Sequence, residues 1–116
     1  MKLGLITDIH ANREAFEACL EQANLHGAER LALLGDFVGY GADPAWVVDR
    51  VIDLVDQGAI AVRGNHDDGV VKGPGPNLND DARNVIEWTR SQLDDKQVEF
   101  LASLPYTHES DRKSVV

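Results

Sequence analysis

Three short apolar runs, each followed by a small polar cluster, constrain this chain more than any other feature. Residues 3–7, 30–34 and 59–62 read as strands, short and rich in leucine and β-branched residues. Helical stretches separate them. Asn12 suits an N-cap for a helix running to about Leu25, with Glu14 in its first turn and Phe16, Cys19, Leu20 and Ala23 as its apolar stripe. Gly27 fits its stop. Asp43-Pro44 opens a second helix, where Val47, Val48, Val51, Ile52 and Val55 form one stripe and Gly58 ends it. Strand alternating with helix predicts an α/β fold of parallel strands joined by right-handed crossover helices. The carboxyl ends of the strands then share one edge, and the polar clusters fall on it.

The remainder is less regular. Gly73-Pro74-Gly75-Pro76 reads as a turn-rich loop. A helix follows from Asn79 or Asp80, with Ala82, Val85, Ile86, Thr89 and Leu93 inward. A shorter one over residues 95–103 carries Val98 and Leu101, with Leu104 beyond, and stops before Pro105. Residues 113–116 resemble the start of a strand. Neither an internal repeat nor a low-complexity tract interrupts the chain, and its 116 residues are expected to form one domain, 1–116.

The clusters carry the chemistry. Asp8-Ile9-His10 places a carboxylate and an imidazole two residues apart, on one side of an extended chain, with Ile9 facing the core. Gly35-Asp36 ends the second strand with a carboxylate whose two oxygens suit it to bridge two cations. Gly35 lets the backbone bend beside it. Gly64-Asn65-His66-Asp67 follows the third strand. An Asn oxygen ligates a cation without adding charge, His66 is placed to donate a proton to a leaving oxygen, and Asp67 or Asp68 to orient the imidazole. Carboxylate, imidazole and amide ligands delivered to one sheet edge make a divalent-metal site, and such sites most often act on phosphate esters. Arg63 is in reach of a phosphate or of a surface ion pair. Trp46 and Trp88 read as packing or rim residues.

Composition narrows the partners. With 11 Lys+Arg against 20 Asp+Glu, the net charge is -9. That balance disfavours binding to duplex nucleic acid and to anionic membranes. A phosphoester remains accessible because bound cations reverse the local field. The single cysteine, Cys19, is expected to be a small buried hydrophobe. The run after Lys2 is too short for a signal peptide or a membrane span, so a cytoplasmic protein is expected. No P-loop, dinucleotide fingerprint or serine-hydrolase elbow is present in the sequence.

The residues Asp8-Ile9-His10, Gly35-Asp36-Phe37-Val38 and Gly64-Asn65-His66-Asp67 resemble the N-terminal half of the calcineurin-like metallophosphoesterase superfamily. The stretch from Gly35 through Val38-Gly39-Tyr40-Gly41 to Pro44 is similar to its small bacterial and archaeal phosphodiesterase branch, as are Glu87-Trp88-Thr89 and residues 100–105. The resemblance implies the N-terminal half of an α/β sandwich that holds two divalent ions: manganese, iron, zinc, nickel or magnesium. It implies that Asp8 and His10 hold the first ion, Asp36 bridges both, and Asn65 ligates the second. A metal-activated hydroxide then attacks phosphorus in line, His66 serves the leaving oxygen, and Asp67 orients His66.

Family members also carry a later His and a Gly-His-x-His motif, neither of which stands in these residues. His26 reads as solvated, and His108 follows a Pro-Tyr-Thr turn. The chain is therefore expected to represent the front half of a phosphoesterase, with incomplete metal shells. The alternative is a catalytically incomplete metal-binding or scaffolding domain. A half-sheet would also leave an unpaired edge that invites a homo-oligomer.

Overall fold

The computed structural model describes residues 2–110 and 113–115. Strands β1 (Leu3–Ile6), β2 (Arg30–Leu33) and β3 (Ile60–Ala61) form a parallel sheet in the order β1-β2-β3. Leu3 pairs with Arg30, Ile6 with Leu33, and Leu33 with Ala61. Helix α1 (Arg13–Leu25) connects the first two strands and α2 (Pro44–Asp56) the next two. The predicted parallel α/β arrangement is thus the observed one. The strands are shorter than expected because the chain leaves the ladder to build loops at the carboxyl edge.

Burial, rather than local propensity, holds α2. Valine is a poor helix former, yet Val47, Val48 and Val51 are all fully buried and pack in one cluster with Leu33, Phe37 and Leu101. Pro44 occupies the first turn, where its missing N–H costs nothing. Asp43 stands at the N-cap, but its side chain makes no capping bond. Its backbone does the anchoring: the Asp43 N–H donates to the Ala11 carbonyl at 3.0 Å, and its own carbonyl accepts from Val47 at 3.1 Å.

Helix α1 is attached more lightly. Asn12 caps it, accepting from the Ala15 N–H at 3.0 Å. Phe16 is its one buried residue. Cys19, expected inside, is exposed. It faces the open side of β1, where Leu5 is 62% exposed, rather than the α2 side where the core lies.

Helix α3 (Asn65–Lys72) is an element the sequence did not announce. Two valines, a mid-helix glycine and four consecutive polar residues give it no helical signature. It forms because Asp67 and Asp68 suit the positive end of the dipole and Val70 is buried. Helix α4 (Asp80–Gln92) starts at Asn79, which accepts from the Ala82 N–H at 2.8 Å. Helix α5 (Asp95–Ser103) starts with a reciprocal capping box between Asp94 and Gln97. Gln97 is buried and also donates to Asp49 Oδ1 at 2.9 Å, tying α5 to α2. Near the end, β4 (His108–Ser110) pairs antiparallel with β5 (Lys113–Val115), where a single nascent strand was expected. Val116 of that expected strand lies outside the described residues.

Because Phe16 alone seats α1 in the core, Phe16→Ala is expected to cost about 3–5 kcal/mol in urea unfolding. Cys19→Ser, at an exposed position, should change stability by no more than about 0.5 kcal/mol.

Candidate metal centre

The ladder between β1 and β2 continues past both strands as a set of loop hydrogen bonds. Asp8 N–H donates to Gly35 O (3.3 Å), His10 N–H to Asp36 O (2.8 Å) and Ala11 N–H to Phe37 O (2.7 Å). The Gly41 N–H then reaches back to His10 O at 2.9 Å. Along this path Asp8, His10, Ala11, Asp36 and Tyr40 all have positive φ, between 49° and 71°. Left-handed backbone at non-glycine residues costs about 1–3 kcal/mol each and persists where the surroundings fix it. All five such residues among those described lie in these loops. Asp8 and His10 are therefore not on an extended strand, as expected, but on a left-handed turn after it. The turn still brings them together, with His10 Nε2 3.4 Å from Asp8 Oδ1, and Ile9 is buried as foreseen.

The loops after β2 and β3 approach each other through glycine. Gly35 has φ +94°, and a Cβ on it would lie 2.5 Å from the Gly64 nitrogen. A Cβ on Gly64 would collide with the Asp36 backbone and carboxylate. Side chains at either position would push Asp36 and His66 apart. With glycines there, Asp36 Oδ1 accepts from the His66 N–H at 3.0 Å and lies 3.2 Å from His66 Nδ1.

His10, Asp36 and His66 consequently offer ligand atoms within 4.8 Å of one another. This donor set, one carboxylate and two imidazoles, fits a divalent transition metal. His10 is prepared for such a role. Its Nδ1 lies 3.2 Å from the Val38 carbonyl, which can only accept; a proton on Nδ1 satisfies that contact and would leave the Nε2 lone pair, 3.4 Å from Asp8 Oδ1, for a cation. Asp8, 59% exposed, is held below the usual carboxylate range, chiefly by the hydroxyl of Thr7 donating to Oδ2 at 3.0 Å. Asn65 is exposed on the first turn of α3 and lines the same cleft as His66. His108 is not in the cluster of His10, Asp36 and His66.

Asp67 departs from expectation. Its carboxylate makes no hydrogen bond to His66. Oδ1 accepts from the N–H groups of Phe37 (2.9 Å) and Val38 (3.2 Å), and Oδ2 from Gly64 (3.0 Å). Burial pushes the carboxyl up to about 6, against these three backbone donors. Asp67 therefore clamps loops, and the carboxylate beside the imidazole is Asp36. Asp68 is also engaged elsewhere, with Tyr106 (2.7 Å), Arg63 (2.9 Å) and Lys72 (3.0 Å). Arg63 is committed too: its guanidinium donates to the carbonyls of Ala102 and Leu104 at the end of α5. It caps α5 and pairs with Asp68, the ion-pair alternative expected from the sequence. Sequence reasoning missed Thr7, the Val38 carbonyl and the clamp. None has a signature beyond its position beside a ligand.

Comparison with known proteins places this fold and edge in a family. The family model described as calcineurin-like phosphoesterase matches residues 1–113. The chain belongs to that family. It is 37% identical over 112 residues to an uncharacterized protein of Methanocaldococcus jannaschii, covering 96% of this chain and 45% of that one. A solved metallophosphoesterase from Sphaerobacter thermophilus is 35% identical with a TM-score of 0.78, over 95% of this chain and 44% of that one. A hypothetical protein from Pyrococcus horikoshii OT3 shares the fold at 20% identity, with a TM-score of 0.78 over 97% of this chain and 52% of that one. The chain thus spans about half the length of these relatives. Among the described residues, no helix is long and apolar enough to cross a membrane.

Asp67→Asn should keep one carbonyl acceptor but turn an NH2 toward an N–H, costing about 1–3 kcal/mol in urea unfolding. Asp68 gives a pH signature. The Tyr106 hydroxyl, then Lys72 and Arg63, hold its carboxyl down at about 2, below the usual carboxylate range. A depressed carboxylate stabilises the fold fully above pH 4, and this contribution disappears as pH falls toward 2. The stability difference between the protein and Asp68→Asn should therefore be constant from pH 5 to 7 and shrink between pH 4 and 2.

Proposed function

We propose that this chain is the metal-holding half of a phosphoester hydrolase that acts on a small phosphodiester. The observation that carries the reading is the convergence of His10, Asp36 and His66 within 4.8 Å at the carboxyl edge of a parallel sheet, with Asp8 beside His10. Asp8, His10 and Asp36 would hold one divalent ion, and Asp36 with Asn65 a second. Manganese, iron, zinc, nickel and magnesium all suit such donors. Bound there, the ions supply Lewis acidity and a nucleophile at neutral pH.

The remaining steps belong to the protein. With Nδ1 of His66 directed at Asp36 Oδ1, 3.2 Å away, a protonated imidazole carries its second proton on Nε2, available to a leaving oxygen. The Asp67 clamp keeps Asp36 and His66 in register without touching the reacting atoms. The acidic surface, net -9, favours a compact phosphoester over duplex nucleic acid. The same features suit a protein of the cytoplasm.

Calorimetric titration with manganese and hydrolysis of bis(4-nitrophenyl) phosphate test the reading together. Metal-dependent turnover is expected, abolished by chelator and reduced about 100-fold or more by Asp36→Asn. Metal binding without turnover would leave only a metal-binding domain. Absence of metal binding, with Asp36→Asn behaving as the parent protein, would overturn the assignment of these ligands.

A further inference from the structure

A cavity of about 430 Å³ adjoins the candidate metal centre, sharing His66 and Asn65 with it. His66 and Asn65 form its inner end. Its walls are different in character. Val85 and Ile86 of α4, with Leu78 from the preceding loop, supply aliphatic surface. Gly69 of α3 presents no side chain, and Ile86 Cδ1 would lie only 3.4 Å from a Cβ placed there. Tyr40 closes the other side. The residue is 72% exposed although its ring packs edge-on against both His10 (5.4 Å between centroids) and His66 (5.0 Å). Its backbone is left-handed, at φ 71°, so the fold holds an aromatic ring out into solvent beside two imidazoles.

We propose that this cavity seats the organic group of the phosphoester, and that the group is an uncharged aromatic ring such as an aryl or a nucleobase. The inference rests on the phosphoesterase reading, because the reacting phosphate must sit at the end shared with His66. The apolar walls select the class. Among the described lining residues Lys72 is the one Lys or Arg, with its ammonium paired to Asp68 at 3.0 Å, and the Arg90 guanidinium lies against Gly73. Tyr40, Leu78, Val85 and Ile86 are uncharged, and an apolar ring gains contact along both sides. An aromatic wall facing aliphatic side chains offers stacking and dispersion to a flat ring. The volume lies within the range of small-molecule sites, about 300–1,000 Å³. A methyl or other small alkyl substituent would leave most of it empty.

Binding of phenylphosphonate and methylphosphonate, neither of which contains a hydrolysable ester, separates this inference from the reading beneath it. With the zinc-loaded chain, phenylphosphonate is expected to bind at least about tenfold tighter. It should shift the methyl resonances of Leu78, Val85 and Ile86 in nuclear magnetic resonance spectra, and methylphosphonate should not. Leu78→Glu, at an exposed loop position that carries little risk to folding, should abolish the preference while leaving zinc affinity and methylphosphonate binding within about twofold. Equal affinities for the two phosphonates, or no phenyl-dependent shift at Val85 and Ile86 with or without zinc, would overturn the proposal while leaving the metal centre standing. Failure to bind zinc at all would strike the phosphoesterase reading instead, and methyl shifts by phenylphosphonate in the metal-free chain would still decide the cavity.

Discussion

The buried carboxylate of Asp67 holds the two halves of the candidate site together. Strand β3 has only two residues, so the ladder that joins it to β2 is short. Beyond it, three backbone N–H groups from two different loops would be left without partners. Asp67 takes all three: two from the loop that carries Asp36 and one from the start of α3. An unsatisfied buried N–H costs about 1–3 kcal/mol. The clamp therefore replaces sheet hydrogen bonds at the place where the sheet has to open for its ligands. Its cost is a carboxylate in a dry environment, visible in the upward displacement of its titration.

Around the clamp, strain and close approach are concentrated in a few residues. Five left-handed non-glycine residues line the loops after β1 and β2. They are held by hydrogen bonds that cross between those loops, such as His10 to Asp36 and Ala11 to Phe37. Gly35 and Gly64 let the second and third loops come within backbone contact. The carboxylates and imidazoles brought together here partner one another, Asp36 with His66 at 3.2 Å and Asp8 with His10 at 3.4 Å.

The parts of the sequence that were legible share one property, which is local chemistry. The valine stripe of α2, the caps at Asn12 and Asn79, and the alternation of strand with helix all follow from nearest-neighbour rules, and the structure contains each of them. Asp36 and His66 could be singled out because a carboxylate or imidazole just after an apolar strand stands at an exposed edge. Helix α3 was not legible, since its composition opposes a helix and only packing of Val70, with acidic residues at its amino end, forms it. Cys19 was misplaced because a helical stripe says which residues share a face and not how much of that face is covered.

The amino-acid sequence by itself determined the strand order in time, the crossover helices and the polar clusters that follow the strands, because periodicity and residue chemistry act over a few positions. Tertiary structure alone decided what each polar group touches. Asp67 binds backbone and not His66, Arg63 caps α5 and pairs with Asp68, and Tyr40 stands beside two histidines far from it in the chain. Those outcomes depend on which loops meet at the sheet edge, and hydrogen-bond partners separated by about thirty residues or more leave no trace in local sequence.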